Sequence, residues 1–428
     1  MNWKNFFKTK EKKVQTFGRG LNADIAPDEE ELFNLATKAF EEEKYFDGYE
    51  EFLNSLQNYT NKKRNDNIIL QREEDSVSFE LFQGSAKISA KITKENFYAE
   101  VIVVKASDAT VALKRYLLER NYQLTYANYI SDDEYIKLKL FFNNITMNPQ
   151  KIFFPIREMA LNADFDKEYI KSEFSHTPLA DIEHLKYPTE EAIEYKYTQL
   201  QKWITNLEQK VRTLPSNDNT NMQAFLYLNL LFKLDYLLTP RFDIYHKISA
   251  KVREYFSEEN STIELKNEEI KVYIDTLKEL PLSEFSQNFH SAKYTFSSIE
   301  SSSFEEVVNF INESLAKVRW YKNNRYPQII PTIYEYIAFY ILYNFGLNSV
   351  VEKLLQLLVE IQNPDFFQED QPTLNKRSIS SNIDEIIKDG ATKYRELHSF
   401  SEELDYSSLN EFSNSFYREL AKLNFEEI

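Results

Sequence analysis

The sequence predicts an α+β N-terminal domain followed by an all-helical bundle domain. Between about residues 77 and 142, hydrophobic and polar residues alternate with a period of two, which is typical of half-buried strands. After residue 188 the hydrophobic residues recur every three to four positions, which is the period of helices. Only 6 of the 428 residues are glycine, against roughly 7% in average proteins, so the composition favours long helices over tight turns.

The composition also excludes several classes of function. The chain has no cysteine, which excludes thiol nucleophiles, cysteine-ligated zinc, iron–sulfur clusters and disulfides. Gly18 and Gly20 are the only closely spaced glycines, and no Gly-x-Ser-x-Gly turn occurs, so phosphate-binding loops, dinucleotide fingerprints and that nucleophile motif are absent. The formal charge of −17 disfavours nucleic-acid binding through phosphate contacts. We therefore expect no enzyme activity and no cofactor.

Residues 1–27 are predicted to form a flexible basic arm that ends at Pro27. The first 20 residues hold six basic side chains against one acidic side chain, and Trp3, Phe6 and Phe7 lie among the lysines. One interpretation is contact with an acidic membrane surface or a partner. The other is a solvated arm that folds back onto the acidic body. The second is favoured, because six basic residues without a lipid anchor bind membranes weakly.

The predicted N-terminal domain covers residues 28–174 and begins with a helix. The hydrophobic period is helical from Asp28, which is placed to cap the first turn, to about residue 59. The stretch that ends near Gly48 is similar to the helix junction of a tetratricopeptide repeat, but no second copy follows. We therefore expect one long or bent helix.

Further strands and helices are predicted between this helix and residue 174. Three strands come first, Ser107 and Asp108 cap a helix, and two further strands meet at an acidic turn. Asn148 and Pro149 open the last helix. The predicted order is α-β-β-β-α-β-β-α with an antiparallel sheet, and its strands are expected at residues 77–82, 88–92, 98–104, 122–126 and 135–142.

This order resembles the type III secretion chaperone-like domain, which occurs in secretion chaperones and in YbjN-type proteins. The resemblance covers about residues 30–174. Its most specific part is residues 114–126 together with the hairpin 131–142. It implies a non-enzymatic domain that holds a segment of another protein, often as a homodimer.

Residues 175–188 are predicted to be a linker, and residues 189–428 an all-helical domain. The segment 221–238 is hydrophobic nearly all round, which is typical of the centre of a bundle. Pro240 is expected at the first position of a helix, and Ser303 with Glu306 forms a capping box. Further helices are expected at 189–215, 331–344, 349–362, 381–399 and 407–424, and loops at 213–221, 256–264, 286–303 and 363–380.

A cytoplasmic location is expected. The most apolar stretch, residues 336–343, is too short to cross a bilayer, which takes about 20 apolar residues. No secretory leader is visible after Met1. We therefore expect no transmembrane segment.

The histidines of the predicted linker are the only pair that suggests a metal site. Two acidic residues lie between His176 and His184. A spacing of eight in a proline-bounded linker, however, does not place both rings on one ion. We expect no metal site.

A basic and aromatic run at residues 317–326 is the candidate partner-binding site, with Arg319, Trp320, Lys322, Arg325 and Tyr326 as its residues. Aromatic rings beside arginines bind acidic or phosphorylated ligands. The alternative, which is favoured, is that the aromatic rings close one end of the bundle while the cations offset a helix dipole.

The sequence favours a non-enzymatic, chaperone-like protein that holds a partner polypeptide in apolar grooves. The expected surfaces are the exposed face of the sheet and the helix at 149–174. Formation of a homodimer stays open. An enzyme with an acid–base site in the helical domain, or a structural subunit of a larger assembly, are the alternatives.

Overall fold

The computed structural model describes residues 17–18, 27–57, 66–216, 219–257, 261–367, 374–390 and 400–423. It confirms the predicted fold class, because an α+β region with an antiparallel sheet is followed by helices. The predictions for the basic arm lie outside the described residues, apart from Phe17, Gly18 and Pro27. The α+β region contains α1 (Pro27–Glu41), α2 (Tyr45–Ser55), β1 (Ile68–Arg72), β2 (Ser76–Gln83), β3 (Ala86–Thr93), β4 (Asn96–Lys105), α3 (Val111–Arg120), β5 (Asn128–Ser131), β6 (Tyr135–Asn143) and α4 (Pro149–Glu173).

The first helical segment is a hairpin of two helices, so the prediction of one long or bent helix is wrong. The chain reverses at Glu43, which has a left-handed φ of 57°, and α1 then packs along α2. Gly48 allows this packing, because a Cβ there would lie 2.5 Å from Cδ2 of Phe40. Helical periodicity on both sides of the turn hid the reversal.

The sheet has six antiparallel strands in the order β1-β2-β3-β4-β6-β5. The predicted strands at 77–82, 88–92, 98–104 and 135–142 are confirmed as β2, β3, β4 and β6. Strand β1 was missed, and the expected strand at 122–126 is wrong because the strand beside β6 is β5. Along the central strands, side chains of one face are buried under α2 and α4, while the other face is partly exposed.

A carboxylate explains why residues 122–126 do not form a strand. Glu158 on α4 accepts hydrogen bonds from the backbone N–H groups of Thr125, Tyr126 and Ala127, at 2.9, 2.8 and 3.1 Å. These donors are therefore not available for a strand ladder. Helix α3 also begins later than expected, because Thr110 caps it instead of Ser107 or Asp108.

The helical region is built around two apolar helices, α6 and α11, which pack against each other. It contains α5 (Glu190–Arg212), α6 (Thr220–Lys233), α7 (Phe242–Phe256), α8 (Ile263–Glu279), α9 (Leu282–Phe285), α10 (Phe304–Asn323), α11 (Ile330–Asn344), α12 (Ser349–Gln362), α13 (Lys376–Gly390) and α14 (Leu409–Leu420). The capping box at Ser303 and the cap at Asn348 are confirmed. No helix in the described part of the chain is long and apolar enough to span a membrane.

Three boundaries in this region differ from the prediction. Helix α6 ends in a π turn at Leu234–Leu238. Thr239 then has a φ of 53°, so the next helix begins at Phe242 and not at Pro240. Helix α13 begins at Lys376, earlier than expected, and the later part of the predicted helix 381–399 lies outside the described residues.

Two loops make contacts between the α+β region and the helical region. In the predicted linker, the Ala180 N–H donates to the Val103 carbonyl at 2.9 Å, and Lys186 pairs with Ser291. In the second loop, residues 289–302, the ring of Phe296 is buried in the core of the α+β region. The helical region therefore contributes a side chain to the core of the α+β region. In addition, α4 of the α+β region packs against α7 of the helical region. The domain limits at 174 and 189 stay predictions.

Candidate functional site

A cleft of about 790 Å³ lies where the α+β region meets the helical region. Its walls come from α4, the π turn that ends α6, α7, the loop 289–302, the end of α11 and the residues that follow α11. This volume is within the range of about 300–1,000 Å³ that is usual for ligand sites, and such sites occur preferentially at domain interfaces. We call it the interdomain cleft.

Aromatic rings line much of the interdomain cleft. They come from four separate parts of the chain: Phe165, Tyr236, Tyr245, Phe256, Tyr294, Phe296, Tyr340, Tyr343 and Phe345. Charged side chains stand between them: Asp164, Glu168, Asp235, Arg241, Arg253 and Glu352. A mainly aromatic wall with a few charged groups is suited to hold a ligand and to fix its orientation.

The carboxylate of Asp164 is held by the turn between β2 and β3. The N–H and the hydroxyl of Ser85 donate to its Oδ1 atom at 2.7 and 2.9 Å. Gly84 has a φ of 56°, and a Cβ there would lie 2.2 Å from both carboxylate oxygens. Burial raises the pKa of Asp164, against the hydrogen bonds from Ser85 and the charge of Arg241. Gly84 therefore has a specific role, because only glycine leaves room for this carboxylate.

Arg241 lies between the π turn and α7, and its guanidinium faces the same cleft. Its backbone N–H donates to the Asn288 carbonyl at 2.8 Å. The guanidinium lies over the ring of Tyr294, 4.8 Å from the ring centre. Its Nε atom is buried and has no hydrogen-bond partner among the described residues. The arginine is thus positioned by its backbone and by an aromatic ring, and its charge interacts with that of Asp164 without occupying Nε.

Glu168 joins α4 to the start of α7. Its carboxylate accepts a hydrogen bond from the Phe242 N–H and lies 3.6 Å from Nε2 of His290. The ring of Phe242 packs on His290, with 4.8 Å between the ring centres. Phe242 has a left-handed φ of 50°, a conformation that costs a residue with a Cβ about 1–2 kcal/mol. These contacts fix the floor of the cleft.

Beneath Asp164, the ammonium group of Lys167 is fully buried. It donates to the carbonyls of Ser85 and Asp181, each at 3.2 Å. Burial lowers the pKa of Lys167 to about 8. Lys167 does not line the cleft, so we assign it to the support of the β2–β3 turn.

The other face of α4 carries a saturated polar network around the fully buried Asp166. Arg120 donates to Asp166 through Nε at 2.8 Å, and the hydroxyls of Tyr116 and Tyr129 donate at 2.6 Å each. Burial raises the pKa of both tyrosines, so they stay protonated as donors near neutral pH. This network joins α3, β5 and α4 within the α+β region. We therefore assign it a structural role.

The helical region has its own buried acid–base group around Glu335. Lys233 donates to this carboxylate at 2.8 Å and Asn229 donates at 2.6 Å. Burial alone would raise the pKa of Glu335, but the charge of Lys233 and the two hydrogen bonds lower it. Burial lowers the pKa of the nearby Lys210. None of these four residues lines the interdomain cleft.

The candidate partner-binding residues lie elsewhere, at the end of α10 and in the following turn. Trp320 is 54% exposed, and its ring stacks on Tyr326 with 6.4 Å between ring centres. Lys322 pairs with Glu411 at 3.3 Å, while Arg319 and Arg325 are exposed. Arg325 has a left-handed φ of 66°, and the Tyr326 N–H donates to the Tyr321 carbonyl at 2.9 Å. The structure brings Trp320 and Tyr326 together, and none of the five candidate residues lines the cleft.

The two linker histidines are used differently. His176 is exposed, whereas Nε2 of His184 lies 3.2 Å from the Gly84 carbonyl and its ring packs on Phe82. In the described ranges, no three histidine or acidic side chains are grouped as metal ligands.

Sequence reasoning missed the interdomain cleft. Asp164 and Arg241 are 77 positions apart, and neither belongs to a motif. The one available signal was the break at Thr239 and Pro240 between two apolar helices, which marks a non-helical turn where Arg241 is placed. No family model, curated protein or solved structure matches the chain. The geometry of the cleft is therefore the basis for a functional assignment.

Proposed function

We propose that this protein is a non-enzymatic, cytoplasmic binding protein that holds a segment of a partner polypeptide in the interdomain cleft. The observation that carries the proposal is the cleft itself, which has about 790 Å³ of space between two packed regions. Its mixture of aromatic rings with charged and hydroxyl side chains matches the mixed chemistry of a peptide, whose side chains and backbone need both apolar and polar contacts.

The surfaces that the sequence suggested are less suited to this role. On the outer face of the sheet, Glu100 lies between Lys137 and Lys139, at 3.6 and 3.9 Å. Lys87 lies on the same face, beside Glu80 and Asp181. These ion pairs cover the middle of the face, and its exposed apolar side chains Ile69, Ile130 and Phe141 lie on three different strands. Between residues 155 and 170 of α4, the other suggested surface, only Phe165 is exposed, and it lines the cleft.

We also propose that residues 28–174 form a domain of the type III secretion chaperone-like kind. The observed order, α-α-β-β-β-β-α-β-β-α, contains the resembling order with one additional helix and one additional strand. That resemblance supports polypeptide binding as the role. It rests on topology alone, and fold by itself does not determine function.

The test is selection of random peptides displayed on phage against the full chain, followed by calorimetry with the enriched peptides. A Ser298→Trp variant fills the cleft, because Ser298 is exposed and lines it. Ser175→Trp is the matched control, since Ser175 is also an exposed loop serine but lies outside the cleft.

We expect the enriched peptides to bind the full chain and the Ser175→Trp variant equally, and to lose at least about tenfold in affinity with Ser298→Trp, which corresponds to about 1.4 kcal/mol. Equal binding to all three proteins, or no enrichment of any peptide, would contradict the proposal.

A second candidate function is an enzyme with an acid–base site in the helical region. The group of Glu335, Lys233 and Lys210 favours it, because the pKa values of Glu335 and Lys210 are both lowered and clusters of groups with shifted pKa values are typical of active sites. Native mass spectrometry of the full chain separates the two functions. Retention of a small molecule that Glu335→Gln releases, without bound peptide, would favour the enzyme.

A further inference from the structure

We infer that Arg241 is the anchor of the interdomain cleft and binds a carboxylate of the held polypeptide. This inference rests on the proposed function and names the ligand chemistry of the same cleft. The observation behind it is the buried Nε atom of Arg241, which lacks a hydrogen-bond partner within the described part of the chain.

The guanidinium of Arg241 is held in place with its Nε donor unused among the described residues, although the charge of Asp164 acts on it. Its backbone is fixed by the hydrogen bond to Asn288, and its plane lies over the Tyr294 ring at 4.8 Å. Stacking on a ring leaves the edges of a guanidinium available for hydrogen bonds in the plane. Arg241 is half-buried, and a buried donor without a hydrogen-bond partner such as its Nε is unfavourable. An incoming anion would supply the missing acceptor.

The neighbouring charges favour a carboxylate over a phosphate. A guanidinium binds both groups through paired N–H donors. Asp164 and Glu168, however, line the same cleft as Arg241 and repel anions. A phosphate monoester carries a charge of about −1.5 to −2 near pH 7, so it is repelled more strongly than a singly charged carboxylate.

The aromatic residues that line the cleft indicate which chemical group lies next to the carboxylate of the ligand. Tyr294 lies under the guanidinium, and Tyr245 and Phe165 line the same cleft. An aromatic side chain next to the acidic group would pack against these rings. The ligand class is thus an aromatic peptide segment with a carboxylate, which is either a chain terminus or an aspartate or glutamate side chain.

Two pairs of small probes test this chemistry on the full chain. The first pair is N-acetylphenylalanine and N-acetylphenylalaninamide, which differ only in the terminal carboxylate. The second pair is N-acetyl-aspartyl-phenylalaninamide and its asparaginyl counterpart, which differ only in the side-chain carboxylate. Ligand-observed NMR titration gives the four affinities and shows which source of carboxylate the cleft takes.

We expect at least one carboxylate probe to bind about tenfold or more tightly than its amide, as for a hydrogen bond to a charged group. Arg241→Gln should remove that preference and leave the affinity for the amide unchanged. Arg212→Gln is the matched control, because Arg212 is an exposed arginine on α5 outside the cleft. Circular dichroism verifies that Arg241→Gln is folded.

The outcomes separate the anchor from the proposed function. Peptides that are blocked by Ser298→Trp but show no carboxylate preference would overturn the role of Arg241 and leave peptide binding intact. A carboxylate preference without any displayed peptide would support the anchor and contradict peptide binding. Loss of the preference with Arg253→Gln instead of Arg241→Gln, or no binding of either acid, would overturn the inference.

Discussion

Helix α4 carries two aspartates that are two positions apart and face opposite regions of the molecule. Positions two apart on a helix are separated by about 200° around its axis. Asp166 faces the core of the first region and is bonded to Arg120, Tyr116 and Tyr129. Asp164 lines the interdomain cleft, where Nε of Arg241 has no hydrogen-bond partner among the residues that the structure describes.

The two arginines differ in whether the hydrogen-bond donors of their side chains have partners. Arg120 donates to Asp166 and to Asn162, so its charge is used within the fold. Arg241 lies over the Tyr294 ring and near the charge of Asp164, and its Nε has no hydrogen-bond partner in the described part of the chain. A saturated buried network stabilises one structure, whereas an unsaturated charge beside a cavity costs stability unless a ligand binds. The same helix therefore carries a structural centre on one face and lines the proposed binding site with the other.

The largest expected effect comes from removing each arginine in turn. Arg120→Gln leaves the fully buried Asp166 without its cationic partner, so we expect a loss of about 3–5 kcal/mol in the free energy of unfolding. Arg241→Gln breaks no hydrogen bond at Nε in the described part of the chain and loses mainly the contact with the Tyr294 ring, so it should change that free energy by less than about 1 kcal/mol. Urea unfolding followed by circular dichroism measures both. Equal losses would show that the two arginines do not differ in role.

Gly84→Ala tests how the cleft carboxylate is held. A Cβ at a φ of 56° is strained, and it would also meet the Asp164 carboxylate at 2.2 Å. We expect a loss of about 2–4 kcal/mol in the free energy of unfolding, from backbone strain and displaced hydrogen bonds. Thermal and urea unfolding provide the measurement.

The double variant Gly84→Ala with Asp164→Ala is the control for that prediction. It should lose less than the sum of the two single variants, because the clash disappears with the carboxylate. Strict additivity would mean that Asp164 does not contact the turn in solution.

Tyr129→Phe tests whether each donor to Asp166 contributes separately. The buried hydroxyl donates to the carboxylate at 2.6 Å, and a hydrogen bond to a charged group contributes about 1.5–3 kcal/mol. We expect a loss of about 2 kcal/mol in urea unfolding. Tyr122→Phe is the matched control, since Tyr122 is 93% exposed, and it should be neutral. A neutral Tyr129→Phe would argue against a saturated network.

The smallest expected effect concerns Arg325, an arginine whose charge is solvated instead of buried. Its left-handed φ of 66° favours glycine, so Arg325→Gly should stabilise the chain by about 0.5–1 kcal/mol. Arg319→Gly removes the same charge from inside α10 and should destabilise by about 1 kcal/mol.

Thermal unfolding of both glycine variants measures the difference. A destabilised Arg325→Gly would mean that its side chain has a structural contact. Because this variant keeps the fold while removing a charge, it also tests partner binding at the end of α10 without a loss of stability.

Local periodicity made much of the fold predictable. Strands β2, β3, β4 and β6 alternate in hydrophobicity, and the caps at Ser303 and Asn348 satisfy helix N–H groups within one turn. Strand β1 was missed because its apolar run, residues 68–70, is short and shows little alternation. The break between α1 and α2 was missed because the sequence at Glu43 has no turn residue.

The parts of the fold that were not predicted depend on contacts between residues that are far apart in the sequence. Glu158 binds the N–H groups that a strand at 122–126 would have used, and this contact spans more than 30 positions. Phe296 lies in a loop of the helical region, and its ring is buried in the core of the α+β region. No window of neighbouring residues contains such information, since each contact depends on how whole elements pack.

The sequence by itself determined the fold class, the ends of many helices and the absence of cysteine and phosphate-loop chemistry. These depend on composition and on residues within a turn of each other. Only the tertiary structure decided that Asp166 is saturated and that Arg241 is not. The reason is that burial and pairing of a charge are set by partners on other elements, here α3, β5 and the loop that carries Tyr294.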